Sequence, residues 1–254
     1  MLILRGLIVA LAGFSFIFLP GAIVTFPSRR GLHFEPNILL WGMGVLFVGL
    51  FPAYFLTSLL RMVLFGDRFP ESTMLLAFSF LASLVAAVFI EVGKYLVLRW
   101  RQIPPPRLLG SGIMLGIGVG LLTNVFQGIS LVSAGFRLAL GDHSAPDLAG
   151  IASQAWTDLI LSLLALNIYR IAVVSLSAAL GGLVAQALLR ARLRWLWVAV
   201  LINAVAAWSY SAIGAGLGND SLGAIVAALV YQGVVAGFAL YWLIRQAPAL
   251  QDQP

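Results

Sequence analysis

The sequence is poor in the residues from which most catalytic and metal-binding sites are built. There is no cysteine among its 254 residues, which excludes disulfides, thiolate metal ligands and a cysteine nucleophile. There are two histidines, His33 and His143, and both fall in polar segments between apolar runs. Charged residues make up only 9% of the chain, whereas a soluble domain carries about 25%.

Apolar residues dominate what is present. They make up 61% of the chain, and the mean hydropathy is +1.03. The sequence therefore predicts an all-α, polytopic transmembrane helix bundle in which residues 1–254 form a single integral membrane domain. Helical spans indicate a cytoplasmic (inner) membrane and membrane lipids as partners. The net charge of +6 is attributed to arginines in the loops, so no nucleic-acid partner is expected.

Hydropathy divides the chain into about seven spans of the ~20 residues that cross a bilayer. They cover approximately 6–27, 37–60, 74–98, 112–135, 160–189, 195–217 and 222–244. The first run is too long for the apolar part of a signal peptide, so we expect an uncleaved span. The positive-inside rule places the N-terminus outside and the C-terminus inside. That orientation collects the larger group of arginines on the inner side, namely Arg29, Arg30, Arg99, Arg101, Arg107, Arg190, Arg192, Arg194 and Arg245.

Two further features bear on helix packing. The stretch 157–189 is long for one span and contains Arg170. We expect residues from Gly150 to about Asn167 to lie on the outer surface, with Arg170 snorkelling to the outer interface. Small residues at i,i+4 spacing predict close helix contacts in two spans: Gly112, Gly116 and Gly120 in the fourth, and Gly233 and Gly237 in the seventh.

One charged pair lies within the third predicted span. Glu91 and Lys94, the sole lysine of the chain, are three residues apart and share one helix face. An ionisable group at this depth costs at least ~2.5–3.5 kcal/mol, so it is seldom retained without a partner or a role. Two interpretations stay open: a structural ion pair that fixes helix packing, or a general base or cation ligand.

The residues around this pair resemble a known family. Residues 86–96 read Ala-Ala-Val-Phe-Ile-Glu-Val-Gly-Lys-Tyr-Leu, which is similar to the Glu-Glu-x-Gly-Arg-Tyr motif of the YhfC-like intramembrane metalloproteases, distant relatives of the CAAX-processing proteases. Glu91 keeps the second glutamate of that motif, Lys94 replaces the arginine, and Ile90 replaces the first glutamate. Residues 116–120 resemble the family's Gly-x-Gly-His-Gly, with Val119 in the histidine place and Thr123 in the place of a following glutamate.

The resemblance continues into later spans, from about residue 18 to residue 208. Arg170 matches the arginine of a Glu-Arg pair, whereas Ser177 and Asn203 stand in the places of two later histidines. The resemblance thus implies the scaffold of an intramembrane protease whose metal ligands have been replaced.

The donor set argues against zinc. A catalytic zinc ion requires three ligands drawn from histidine, cysteine and carboxylates. The predicted spans offer the carboxylate of Glu91 and no histidine or thiol, so no metal and no other cofactor are expected. A metal-free mechanism would have Glu91 activating water, with an oxyanion bound by Lys94, Asn124, Gln127 or Asn203. Interhelical hydrogen bonds would equally satisfy those amides.

Three functions remain open at this stage. The first is a non-catalytic binding or scaffold protein, with Gln127, Ser177 and Arg170 among its binding residues and another membrane protein, a transmembrane peptide or a lipid as partner. The second is an active intramembrane peptidase that uses Glu91 as general base. The third is a small-molecule or proton transporter. Pro20 and Pro52 do not occupy matched positions in an internal repeat, which weighs against the transporter.

Overall fold

The computed structural model describes residues 2–18, 32–35, 37–66, 72–142, 146–217 and 222–246, and within them the secondary structure is entirely helical. The helices in chain order are α1 (Leu2–Phe18), α2 (Ile38–Phe65), α3 (Ser72–Trp100), α4 (Pro105–Ala139), α5 (Pro146–Ser153), α6 (Trp156–Leu189), α7 (Arg194–Leu217) and α8 (Leu222–Gln246). The predicted first span, 6–27, continues past Phe18 beyond the described residues. Pro20, Arg29, Arg30 and His143 also lie outside them.

Four helices are long and apolar enough to cross a membrane: Ile38–Phe65, Met74–Trp100, Pro105–Ala139 and Trp156–Leu189. Three shorter apolar stretches accompany them, Leu2–Phe18, Arg194–Ser209 and Leu229–Trp242. The prediction of an all-α protein with membrane-spanning helices is therefore confirmed at this level. The count of seven spans and the orientation of the termini remain predictions.

The central helix of the bundle is α4, which is buried continuously from Leu108 to Leu121. Glycines allow the neighbouring backbones to approach it closely. A Cβ atom at Gly116 would lie 2.0 Å from the carbonyl oxygen of Ser177, and one at Gly112 would lie 2.5 Å from that of Gly181. The predicted close packing of the fourth span is thus confirmed, with α6 as the partner helix.

The same prediction is wrong for the seventh span in the part of the chain that the structure describes. Cβ atoms at Gly233 and Gly237 would meet no heavy atom within 4 Å, and both glycines are exposed. The helix that carries them, α8, packs mainly on α6. Its glycines therefore lie on a face that no other described helix covers.

The segment before the fifth predicted span also differs from the prediction. Instead of a surface stretch from Gly150 to Asn167, α6 runs without interruption from Trp156 to Leu189. Its first turns are not free of the bundle, because Leu159 and Leu163 are buried in one cluster with Val9 of α1. The separate short helix α5 precedes it.

Arg170 does not snorkel outward, so that prediction is wrong as well. Arg170 is only 6% exposed. The guanidinium carbon lies 4.6 Å from the ring centroid of Tyr169 and 5.7 Å from that of Phe16 in α1. These two aromatic faces offer a cation a favourable site inside the bundle.

The first residues of some helices and the last residues of others lie together at one end of the bundle. The rings of Trp41, near the start of α2, and Trp100, at the end of α3, lie 5.3 Å apart. The start of α4 contacts the later part of α6 through Gly112 and Gly181, and Gly182 contacts Trp242 of α8. We call this the arginine end, because these helix termini and the adjoining turns carry Arg99, Arg101, Arg107, Arg190, Arg192, Arg194 and Arg245.

Candidate functional site

The charged pair of α3 is completely enclosed. The side chains of Glu91 and Lys94 each have 0% relative exposure, and Lys94 Nζ donates a hydrogen bond of 2.8 Å to Glu91 Oε1. The i,i+3 spacing brings the two groups together within one helix turn, as the sequence predicts. Removing two charges from solvent is costly, and a direct contact of this length recovers part of that cost.

A second helix supplies another hydrogen bond to the same carboxylate. Asn203 of α7 donates from Nδ2 to Glu91 Oε1 at 2.7 Å. Counting from Trp100 and from Trp195 at 1.5 Å per residue, Glu91 and Asn203 both lie about 12–14 Å from the arginine end. The two helices run antiparallel, so residues at equal depth become neighbours.

Small side chains allow α3 and α7 to come close enough for this contact. Ala87 of α3 and Val200 and Ala204 of α7 form a buried cluster one turn from the pair. Ala204 follows Asn203 directly and has 0% exposure. The carboxylate is therefore bonded where two helices pack closely.

The second carboxylate oxygen has a different environment. Glu91 Oε2 is buried and has no hydrogen-bond partner among the described residues. A carboxylate has about four lone-pair sites, and here Oε1 accepts both bonds. One further donor, such as a water or a ligand N–H, would satisfy Oε2.

The other residues predicted for the site lie along α4 and α6. Asn124 is fully buried and donates from Nδ2 to the carbonyl oxygen of Arg170 at 3.3 Å. Ser177 is buried at the contact of α6 with Gly116 of α4. Gln127 is exposed on α4. The structure thus joins Glu91, Lys94 and Asn203 directly, and it places Asn124, Arg170 and Ser177 in the packing of α4 against α6.

Two further polar residues that the sequence does not single out lie within α6. Ser175 has 0% exposure, and its hydroxyl has no hydrogen-bond partner within the described ranges. Asn167 contacts Ser15 of α1 through its side chain. Each is a polar residue within an apolar run, which is the signal that would have identified it.

The donor set around Glu91 does not fit a zinc ion. Its two neighbours are an ammonium, which repels a cation, and an amide, which is a poor zinc ligand. Ile90 and Val119, in the places of a glutamate and a histidine of the resembled motifs, belong to one apolar cluster with Val45. The residues that the structure describes contain no group of three His, Cys, Asp or Glu side chains suited to a metal.

The same geometry limits Glu91 as a base. The ammonium at 2.8 Å and the amide at 2.7 Å both donate to Oε1, so that oxygen is already engaged, and a proton taken from water would have to go to Oε2. The arrangement serves best as a polar link between α3 and α7.

Among known proteins, no family model, no curated protein and no solved structure matches this chain.

Proposed function

We propose that the chain crosses a cytoplasmic (inner) membrane about seven times, with the N-terminus outside and the C-terminus inside. Four long apolar helices and three shorter ones supply that number of segments. Helices α2, α4 and α7 begin at the arginine end, whereas α3, α6 and α8 end there. The positive-inside rule assigns an end with this concentration of arginine to the cytoplasm.

We further propose that the protein is a non-catalytic binding or scaffold relative of the YhfC-like intramembrane proteases. The observation that carries this proposal is the 2.7 Å contact between Asn203 and Glu91. In the resemblance, Glu91 keeps a motif glutamate and Asn203 stands in the place of a histidine from a span far along the chain. Contact between these two positions supports a former metal site in which an amide now holds the carboxylate.

The chemistry of the pair supports binding over hydrolysis. Glu91 Oε1 accepts two hydrogen bonds, and both charged side chains have 0% exposure. Hydrolysis needs a water and a scissile bond beside the base, whereas this carboxylate lies between two packed helices. A partner would then bind to the apolar helix faces of the scaffold, as another membrane protein, a transmembrane peptide or a lipid.

One observation favours the alternative, an active peptidase that uses Glu91. The Oε2 atom has no hydrogen-bond partner among the described residues, so it could accept a hydrogen bond from the attacking water. This alternative needs a movement of α3 relative to α7 that admits both water and substrate.

A single comparison of purified variants tests the proposal. The wild-type chain, reconstituted in lipid with membrane-embedded peptide substrates and excess zinc, should cleave none of them. It should copurify from its native membrane with a stoichiometric protein or lipid partner. The Glu91→Gln/Lys94→Met variant should retain that partner, because the introduced amide oxygen still accepts a hydrogen bond from Asn203. Cleavage by the wild type that this folded variant lacks would establish the peptidase instead.

A further inference from the structure

The turn between α6 and α7 concentrates positive charge that no described carboxylate compensates. Arg190, Arg192 and Arg194 are all exposed, and the ion pairs within the described ranges involve none of them. The neighbouring turn at the same end differs, because Arg101 pairs there with Glu35. An anion is therefore attracted more strongly to the α6–α7 turn.

An aromatic ring holds two of these arginines in place. The guanidinium carbons of Arg190 and Arg194 lie 5.6 Å and 5.5 Å from the ring centroid of Trp195. Trp195 in turn packs against the main apolar core. A guanidinium over an aromatic face keeps its N–H donors available for a second partner. The partly buried ring of Trp195 thus positions two guanidinium groups, each with several N–H donors.

The turn itself adds to this anion-binding character. It is closed by Ala191, which has a positive φ of 50°, and α7 begins at Arg194. The start of a helix carries a partial positive charge and suits a phosphate group. The end of α6 at Leu189 brings an opposite partial charge to the same turn, so the three arginines carry the attraction.

Apolar side chains beside the arginines indicate the source of the anion. Leu193 is 55% exposed and Trp197 is 53% exposed, and both are next to the arginines in the turn or first helical turn. A soluble phosphate would leave these side chains uncovered. A phospholipid would cover them with its acyl chains while its phosphate meets the guanidinium groups.

We propose that residues 190–197 bind the headgroup phosphate of an anionic phospholipid, with Leu193 and Trp197 against the acyl chains. This site is separate from Glu91 and does not depend on what the scaffold binds elsewhere. The cytoplasmic leaflet, to which we assign the arginine end, is the leaflet in which such lipids are enriched.

The test is a lipid titration by native mass spectrometry of the full chain in neutral detergent. Phosphatidylglycerol should bind, and phosphatidylcholine should bind much more weakly. Each arginine that contacts the phosphate contributes about fivefold in affinity, so Arg190→Gln/Arg194→Gln should weaken phosphatidylglycerol binding about 30-fold. The control Arg99→Gln/Arg107→Gln removes two exposed arginines from another turn of the same end, and it should stay within about threefold of wild type.

Three results would overturn the proposal. An equal loss of lipid affinity in the two double variants would indicate general charge attraction. No loss in Arg190→Gln/Arg194→Gln would show that the α6–α7 turn is not the binding site. Inorganic phosphate competing as effectively as the lipid at equal concentration would indicate a soluble anion. If the double variant does not fold, Arg192→Gln alone should show the loss of about fivefold.

Discussion

Removing one member of the buried ion pair should destabilise the protein far more than removing both. Lys94→Met leaves the Glu91 carboxylate at 0% exposure with a single remaining donor, Asn203. Breaking a buried pair in this way costs about 3–5 kcal/mol. At about 2–4 °C per kcal/mol for a chain of this size, thermal unfolding should fall by roughly 6–20 °C.

The double variant Glu91→Gln/Lys94→Met supplies the matched comparison. It removes both charges and keeps an amide oxygen that accepts from Asn203, so its stability should lie within about 1 kcal/mol of wild type or exceed it. Thermal unfolding of the three proteins in the same neutral detergent, followed by circular dichroism, measures both differences. A double variant as unstable as Lys94→Met would refute the reasoning, and so would a single variant as stable as wild type.

Other consequences can be measured with the same variants and assays. Asn203→Leu loses a hydrogen bond to a charged group and should lower the unfolding temperature by about 3–12 °C, whereas Gln127→Leu on an exposed face should change it by no more than about 2 °C. Gly116→Ala forces a Cβ atom against a carbonyl oxygen and should lower the free energy of unfolding by about 1–3 kcal/mol. Gly233→Ala places its Cβ atom in open space and should leave that free energy unchanged or raise it by up to about 1 kcal/mol. Equal effects of the two substitutions would contradict the packing. Arg5→Gln removes hydrogen bonds to the carbonyls of two residues near the end of α5 and should speed hydrogen exchange in α1 about tenfold, with unchanged exchange as the contrary result. Elemental analysis of the protein purified with zinc present should find no stoichiometric metal.

Local spacing predicts the Glu91–Lys94 contact because both residues belong to one helix turn. The contact with Asn203 is not local, yet its depth follows from the sequence. Counting residues from the boundary tryptophans places both groups at the same level. What the sequence leaves open is which helix packs against the face of α3 that carries Glu91. That choice depends on the order of helices around the bundle.

The incorrect predictions share a cause. The predictions for Arg170 and for the glycines of α8 each depend on a single segment of the sequence. Arg170 is buried because Phe16, which belongs to α1, provides a second aromatic face. Gly233 has the same spacing to its neighbour as Gly112 has, but only Gly112 lies opposite another glycine. In each case, a residue distant in sequence determines whether the position is buried. The local sequence does not indicate which residue that is.

The length of α6 illustrates the same limit. A charged residue within the apolar run indicates an interruption, so the sequence predicts a surface stretch before the span. Leu159 and Leu163 continue the helical spacing, and they are buried because Val9 of α1 packs against them. The helix therefore extends to Trp156, supported by the first helix of the chain.

Because the chain has no cysteine, single cysteines can report whether water reaches the charged pair. Ala87→Cys and Ala204→Cys lie beside Glu91 and Asn203 without altering the pair, and Arg192→Cys lies at the exposed α6–α7 turn. In intact native membranes, a small water-soluble maleimide with access to both faces should label Arg192→Cys and leave the other two unlabelled until the protein is denatured. Rapid labelling of Ala87→Cys and Ala204→Cys in the native protein would show a water-filled site at Glu91 and contradict a closed structural ion pair.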